Sequence, residues 1–320
     1  MKSRLIRGFM VVFALLVVGC APGTASGPTS QSGAPAQTVT QPTIVFAARG
    51  EPSTLAPQGF GFGATTGNFR AGAMFNAGLS LKDEHDQPQP YLAESLPQLN
   101  TGSWTVTPDG KMTTTFKLRP NLTWHDGQPL TADDFVFAYQ VYSKPDLGVS
   151  GTTPTKQIEG IRAPDPLTVV INWRQLYADA VVENGGYYPM PRHILEQAVS
   201  SQDPAAFQGH SFWLQDYVAA GPFKETEYVP GDHIDTAAFA GYALGRPKID
   251  KIRIVFISDP QAGVAQLLSG NVHFSDSFVI NPTDGINLEQ QWADNKAGEI
   301  LWSPTDPREA LVQWRPEYAL

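Results

Sequence analysis

The chain has 320 residues, of which 42% are hydrophobic and 17% are charged, and its net charge is −9. This length is enough for two or more domains, and the balance of apolar and charged residues is typical of a globular protein. Contact with phosphate backbones requires many lysines and arginines, so the acidic balance argues against a nucleic-acid partner.

Cysteine and histidine predict neither a disulfide nor a metal centre. Cys20 is the only cysteine, so an internal disulfide and a cysteine-based metal site are both excluded. The histidines stand at positions 85, 125, 193, 210, 233 and 273, and none has the His-X-His or His-Glu-X-X-His spacing of zinc sites. We therefore expect no cofactor and no metal.

The first twenty residues are organised like a bacterial lipoprotein signal peptide. Three basic residues precede an uninterrupted apolar run from Phe9 to Val18. This run is shorter than the roughly 20 residues that span a bilayer, and it suits the apolar region of a secretory signal. Val17-Val18-Gly19-Cys20 resembles the lipobox, although an ordinary signal peptide with an incidental cysteine is the alternative. We expect residues 1–20 to be the signal peptide and Cys20 to be the site of lipid attachment and membrane anchoring.

A tether and a buried strand come next. Residues 21–42 are mostly Ser, Thr, Gly, Pro, Ala and Gln without charge, and they predict a disordered tether because they cannot bury enough apolar surface to fold. The run from Thr43 to Ala48 is apolar and partly β-branched, which predicts a buried strand.

Glycine alternates with phenylalanine from Gly59 to Gly63. The pattern superficially suggests a dinucleotide-binding loop. However, it does not directly follow a strand, and no helix–strand unit with an acidic ribose ligand comes after it. Glycines let a backbone approach a ligand closely, and Phe60 and Phe62 offer apolar faces. A ligand-binding loop and a flexible surface loop with two anchoring aromatic rings both fit this stretch.

The next segment predicts a helix and then a hairpin. Apolar residues recur at helical spacing from Phe69 to Leu81. The polar run from Lys82 to Asp86 follows. Because neighbouring residues on a strand point in opposite directions, its side chains cannot converge on a metal, and we expect a solvated hairpin tip.

Residues 112–142 combine a strand, a turn and a helix. Met112 to Leu118 alternate between apolar and polar, which predicts a strand with one buried face. Leu122 and Trp124 form a second short alternation, closed by the Asp126-Gly127 turn. Thr131 is a natural N-cap for a helix with Asp133 and Asp134 in its first turn. The side chains that this helix is expected to bury are Phe135, Ala138, Tyr139 and Tyr142.

The stretch from Trp104 to Tyr139 resembles the signature of the family 5 solute-binding proteins, which are extracytoplasmic peptide, nickel and oligosaccharide receptors of ABC importers. The matching features are Trp104, Pro108-Asp109-Gly110-Lys111, Phe116-X-Leu118-Arg119, Trp124-X-Asp126-Gly127, Pro129-Leu130-Thr131-Ala132-X-Asp134 and Tyr139. Further matches are Pro90-Tyr91-Leu92-Ala93-Glu94-Ser95, Gly221-Pro222 and the run from Pro247 to Ile252. The chain departs from the family pattern at Ala56, Ala219 and His273.

This resemblance implies an α/β fold of the periplasmic-binding-protein-like type (type II, large three-domain subclass). The implied division is a first lobe at 43–74 and 183–298, a small inserted domain at 75–182, and a crossing strand with the start of a second lobe at 299–320. Strands at 158–163 and 167–172 are expected in the inserted domain, with the second pairing onto the signature strand. Family members typically continue further, so the second lobe is expected to be largely missing.

The implied function is the substrate-binding component of an ABC importer, with a peptide or another small solute and the permease subunits as partners. The ligand-binding candidates are Gly59, Phe60, Gly61, Phe62, Trp213 and Trp302. In the family, the segment after the first strand lines the ligand cleft. The aromatic candidates would stack on a sugar or pack against a peptide side chain equally well.

Two other functions are the alternatives to this one. A secreted hydrolase lacks support because Gly-X-Ser-X-Gly and His-Glu-X-X-His are absent. The adjacent Asp133 and Asp134 would also lie about a hundred degrees apart on a helix, which is poor for paired acid–base work. We therefore expect no enzyme. A cell-surface lobe that docks a partner without binding a ligand is the second alternative.

Overall fold

The computed structural model describes residues 43–57, 70–148, 154–181, 188–275, 279–294 and 296–302, which all belong to one compact unit. The strands described are β1 (Ile44–Ala48), β2 (Ser80–Lys82), β3 (Pro88–Pro90), β4 (Trp104–Val106), β5 (Met112–Lys117), β6 (Ile158–Asp165), β7 (Thr168–Trp173), β8 (Phe223–Val229), β9 (His233–Ala238), β10 (Lys251–Phe256) and β11 (Phe274–Ser275). The α-helices described are α1 (Ala132–Tyr142), α2 (Arg192–Ser200), α3 (Pro204–Gln208), α4 (Pro260–Leu268) and α5 (Pro282–Trp292).

The first sheet has the strand order β11-β1-β10-β9-β8. β1 lies parallel to β10 and β11, and β9 lies antiparallel to both of its neighbours, β10 and β8. β1 is buried on both faces: Phe46 joins the main core, whereas Ala47 packs in a smaller cluster with Val272 and Val279. Such two-sided burial explains why the sequence of β1 is continuously apolar. The strand predicted at 43–48 is confirmed.

The second sheet has the order β4-β5-β7-β6, with all neighbours antiparallel. The alternation predicted for β5 is confirmed, because Met112, Thr114 and Phe116 are buried while the residues between them are not. β7 pairs with β5 as expected. Trp173 on β7 is fully buried, and its indole Nε1 donates to Thr114 Oγ1 at 3.0 Å. This bond satisfies two polar groups inside the core.

The signature turn folds as a tight loop. Gly127 N–H donates to Trp124 O at 2.9 Å, and Leu130 N–H donates to Leu122 O at 3.0 Å. Gly127 has φ of +87°, a left-handed conformation that favours glycine at this turn. The loop leads directly into α1, whose buried side chains include Phe135, Ala138 and Tyr142 as predicted. Tyr139 is only partly buried, contrary to the prediction, and its hydroxyl donates to Glu159 O at 2.9 Å.

Asp134 in the first turn of α1 is buried and accepts hydrogen bonds at the start of both α1 and α2. Its Oδ2 accepts from Thr131 N–H at 2.9 Å and from Trp124 Nε1 at 3.4 Å, and its Oδ1 accepts from Arg192 N–H at 3.2 Å. Burial raises the pKa of the Asp134 carboxyl, while these hydrogen bonds oppose the rise. The residue therefore joins the signature turn, α1 and α2.

Replacing Asp134 with alanine is expected to lower the free energy of unfolding by about 2–3 kcal/mol, because buried donors lose their acceptor. Asp133→Ala is the matched control: this neighbour is exposed, and its loss removes only a helix-dipole interaction of about 0.3–1 kcal/mol. Urea denaturation of both variants measures the difference. Equal midpoints for the two variants would show that Asp134 is not the link described here.

One predicted helix is wrong in its extent. The apolar spacing from Phe69 to Leu81 indicates a helix, but the structure has only a 3₁₀ turn at Arg70–Met74 before β2 begins. Asn76 explains the early end, because its Nδ2 donates to Leu55 O and Gly72 O at 2.8 Å each. A short polar side chain that bonds the backbone in this way competes with helical hydrogen bonds. The predicted hairpin between β2 and β3 is confirmed.

The expected domain division remains a prediction. The first sheet is built from residues assigned to the first lobe and the second sheet from residues assigned to 75–182. One continuous hydrophobic core nevertheless contains side chains from both, including Ile254 of β10 and Phe116 of β5.

Candidate functional site

A cavity of about 20 Å³ lies beside the exit of β1. The segments 56–57, 76–77, 188–191, 212–213 and 217–220 line it, together with Trp124 and Tyr142. This volume is close to that occupied by a single water molecule. The described lining is a mixture of aromatic and other, mostly apolar, side chains.

The wall is rigid because its polar groups are paired. Tyr217 donates its hydroxyl to Asn76 Oδ1 at 2.5 Å, and Asn76 is held in turn by the backbone of Leu55 and Gly72. Trp213 Nε1 donates to Phe207 O at 2.6 Å, and its ring meets Phe207 edge-on at 5.0 Å. Edge-to-face aromatic pairs of this kind fix ring orientation.

The ionisable side chains that line this cavity are tyrosines. Burial raises the pKa of Tyr142, Tyr188 and Tyr217, so all three stay neutral at physiological pH. Among the described lining residues there is thus no group with the pKa of a general base or an activated nucleophile. The described lining is therefore neutral and mostly apolar.

The structure places the sequence-predicted candidates in different situations. Trp213 lines the cavity but is only 3% exposed, so it supports the wall from behind. Trp302 is 53% exposed and lies apart from the cavity lining, with its Nε1 3.4 Å from Glu289 Oε1 of α5. Cys20, Gly59, Phe60, Gly61 and Phe62 lie outside the described residues. The structure therefore brings none of the described candidates together.

Asn76 is the lining residue that sequence reasoning missed. It stands within a stretch that its apolar spacing assigned to a helix, so nothing marked it as a polar group at a cavity. The signal that could have revealed it is the asparagine itself. An asparagine between two glycine-containing runs favours a turn, in which its side chain bonds the backbone.

His125, in the signature turn, fastens that turn to residues 219–221. Ala219 N–H donates to His125 Nδ1 at 3.2 Å, so the proton sits on Nε2, which donates to Gly221 O at 3.1 Å. Burial lowers the pKa of His125 to about 4. The ring also meets Phe239 edge-on at 4.9 Å. The neutral ring therefore bonds two backbone groups of the single segment 219–221, which lies beside the cavity.

An open groove of about 320 Å³ lies between the signature turn and α2. Its charges are largely compensated: His193 Nε2 lies 2.7 Å from Asp126 Oδ2, and Arg192 lies 2.6 Å from Glu196. Asp133 is exposed while Asp134 is buried and bonded, so the two carboxylates do not face one another. The two adjacent aspartates of α1 therefore do not form a carboxylate pair.

None of the described helices combines the length and the apolar character that a bilayer span requires.

Comparison with known proteins gives a consistent answer. Residues 87–301, more than half of the chain, match the model of the bacterial extracellular solute-binding proteins, family 5 Middle. A protein of Brucella ovis named as an ABC transporter peptide-binding protein is 28% identical over 233 residues, which cover 66% of this chain and 43% of that protein. The oligopeptide-binding protein AppA of Bacillus subtilis is 30% identical over 215 residues, covering 66% of this chain and 36% of AppA.

Solved structures agree on the fold. AppA of Bacillus subtilis in complex with a nonapeptide superposes with a TM-score of 0.63 at 25% identity, covering 78% of this chain and 46% of AppA. AgaA from an Agrobacterium (A. tumefaciens R10), in complex with agropinic acid, superposes with a TM-score of 0.61 at 25% identity and the same two coverages. The chain thus spans less than half the length of these relatives. On the family match over residues 87–301, this chain belongs to the bacterial extracellular solute-binding proteins, family 5.

Proposed function

We propose that this chain is the substrate-binding component of an ABC importer and that its ligand is a peptide. The observation that carries the proposal is the family match over residues 87–301, together with sequence relatives that are named as peptide-binding proteins. AppA, which shares the fold, holds a nonapeptide in its solved structure. AgaA holds agropinic acid, so a small non-peptide solute is the second candidate.

The cavity wall supports this proposal. The cavity itself has room for about one water molecule, but its aromatic and apolar side chains, held by buried hydrogen bonds, provide a fixed support for the segment that follows Pro57. We propose that Gly59, Phe60, Gly61 and Phe62 extend this wall, because they follow Pro57, the lining residue at the end of the described segment. Trp213 would act by supporting the wall, and Trp302 by direct contact through its exposed face.

We further propose that the chain works outside the cytoplasm, anchored to the bacterial membrane by lipid on Cys20, and that it delivers its ligand to permease subunits. The support is the basic and apolar leader before Cys20 and the extracellular family that the chain belongs to. Mass spectrometry of the membrane fraction is expected to show an acylated Cys20. An unmodified cysteine in the exported chain would rule out the anchor.

A thermal melt of the full chain in mild detergent tests the ligand class. The chain would be melted alone, with short peptides, with opines and with oligosaccharides. Peptides are expected to raise the melting midpoint in a concentration-dependent way, because a ligand that binds only the native state stabilises it by mass action. A shift by opines alone would replace the peptide assignment.

Phe60→Ala together with Phe62→Ala is expected to abolish most of the peptide-induced shift. Leu176→Ala is the matched control, since this side chain is 61% exposed and lies on the inserted segment away from the cavity lining. If the double variant keeps the full shift, the glycine–phenylalanine stretch is not part of the ligand site.

A further inference from the structure

The outer face of the first sheet carries an unusual group of side chains. His233 and Asp235 stand two residues apart on β9 and therefore point to the same side. Ile234 and Thr236 alternate with them and are buried against the main core. The pair therefore faces away from the core and from the cavity described above.

A β-bulge brings a third ligand to this face. In the pairing of β8 with β9, Glu225 is opposite Thr236 and Glu227 is opposite Asp235, so Thr226 is the extra residue. Without the bulge, Glu225 and Glu227 would share one face, since they are two residues apart. With it, Glu225 stays on the core side and Glu227 joins Asp235 on the outer side. Bulges commonly re-aim a side chain in this way.

His233 is oriented by a neighbouring carboxylate. Its Nδ1 lies 2.8 Å from Asp232 Oδ2, which fixes the proton on Nδ1 when the ring is neutral. Its Nε2 is buried and has no hydrogen-bond partner. A carboxylate that bonds one ring nitrogen while the other faces further ligands is the usual outer arrangement of a metal-binding histidine.

The remaining distances suit one small cation. His233 Nε2 lies 3.8 Å from Asp235 Oδ2, and one ligand atom from each of Glu227, His233 and Asp235 lies within 4.8 Å of the others. Zinc bonds to nitrogen and oxygen are each about 2.0–2.2 Å, so a single ion reaches across 3.8 Å. Glu227 is exposed and completes the set by a change of rotamer.

The charge balance favours a cation. Arg253 makes a two-point salt bridge to Asp235, with Nε and Nη2 each 2.6 Å from a carboxylate oxygen, and the charge of Lys251 also acts on Asp235. Glu227, Asp232 and Asp235 set against Arg253 and Lys251 leave one negative charge uncompensated when His233 is neutral. Each carboxylate oxygen has a second lone pair, so the arginine does not block Asp235 as a ligand.

We propose that Glu227, His233 and Asp235 bind one divalent transition-metal ion, with Zn²⁺ as the best match, and that Asp232 positions the histidine. Imidazole nitrogen with carboxylate oxygens suits zinc, whereas magnesium prefers oxygen ligands alone. The ion links β8 to β9 across the bulge. This site was hidden from sequence reasoning because its residues come from two strands and lack the His-X-His spacing.

The test is a calorimetric titration of the full chain, in mild detergent and stripped of metal with a chelator, against ZnCl₂ at pH 7. One Zn²⁺ is expected to bind, and Mg²⁺ is expected not to compete. His233→Gln is expected to weaken Zn²⁺ affinity by more than about 10-fold, and Asp232→Asn by roughly 10-fold through loss of orientation. His85→Gln, at a histidine whose side chain is 78% exposed, is the matched control and leaves the affinity unchanged.

Two outcomes would overturn the proposal. A flat titration of the wild-type chain would show that Glu227, His233 and Asp235 do not bind zinc. Unchanged affinity in a folded His233→Gln variant would place the zinc elsewhere. Should His233→Gln fail to fold, Asp232→Asn decides, because the Asp232 side chain is 72% exposed and its replacement leaves the strand core intact.

Discussion

Gly221→Ala is expected to destabilise the fold by about 3 kcal/mol or more. A Cβ at this position would lie 2.3 Å from the carbonyl carbon and 2.5 Å from the oxygen of Phe75, and 2.6 Å from Asn76 N. All three are backbone atoms, so no side-chain rotation relieves the contact, and overpacking of this kind costs about 1–3 kcal/mol even where some relaxation is possible. Gly221 N–H also donates to Phe75 O at 2.7 Å, which any separation would break.

Gly160→Ala on β6 is the matched control for this effect. A Cβ there meets nothing within 4 Å, and the residue has no positive φ. The free energy of unfolding of the Gly160→Ala variant is expected to stay within about 0.5 kcal/mol of the wild-type value. Urea denaturation compares the two variants. A Gly221→Ala chain as stable as Gly160→Ala would contradict the close approach of these segments beside the cavity.

Acid is expected to destabilise the chain through His125. Its pKa is about 4 in the fold and 6.5 in the unfolded chain, so between these values the unfolded state binds a proton that the folded state does not. The stability that His125 contributes is therefore complete above about pH 6.5 and is lost as the pH falls toward 4. At 1.36 kcal/mol for each pKa unit, the loss is on the order of 3 kcal/mol.

The comparison that isolates this effect is the difference in unfolding free energy between wild type and His125→Gln across this pH range. The difference is expected to shrink as the pH falls, whereas His85→Gln should parallel the wild type throughout. The pH dependence of the wild-type stability alone does not isolate His125, because Glu225 has an opposite effect. Burial raises the pKa of Glu225 to about 8, so the stability that this carboxyl contributes is lost as the pH rises from 4.5 toward 8. A constant difference would mean that His125 is not a buried neutral ring.

The local sequence predicted those elements in which the apolar residues follow one simple pattern. β5 alternates without interruption, and α1 has an N-cap and buried residues at spacings of three and four. β1 is continuously apolar because Val272 and Val279 cover its second face. The pairing of β7 with β5 followed from the family resemblance rather than from any local signal. These elements needed no knowledge of distant contacts.

β8 and β9 were not predicted, and the bulge gives the reason. Thr226 shifts the alternation of β8 by one residue, so Glu225 and Tyr228 both face the core side although their spacing in the sequence is odd. A period-two search fails on such a strand. The same bulge brings Glu227 to the proposed metal site. The irregularity that prevented prediction of the strand therefore also prevented prediction of the site.

The candidate ligand site was predicted only in part. Trp213 was singled out as an aromatic face, yet the fold buries it, because exposure depends on packing against Phe207 and Phe212 that no local pattern reports. His273 was noted as a departure from the family pattern. In the structure its Nδ1 accepts from Val45 N–H at 2.9 Å, at the edge of β1. The imidazole of His273 therefore accepts a hydrogen bond from the backbone of β1.

The central claim is that this chain recognises peptides, and native mass spectrometry tests it most directly. The full chain, released from mild detergent after incubation with a mixture of short peptides, opines and oligosaccharides, would be weighed together with whatever it retains. We predict retention of peptides, and their loss from the Phe60→Ala and Phe62→Ala double variant. A chain that melts cooperatively yet retains no peptide, or that retains an opine or a sugar in its place, would contradict the account.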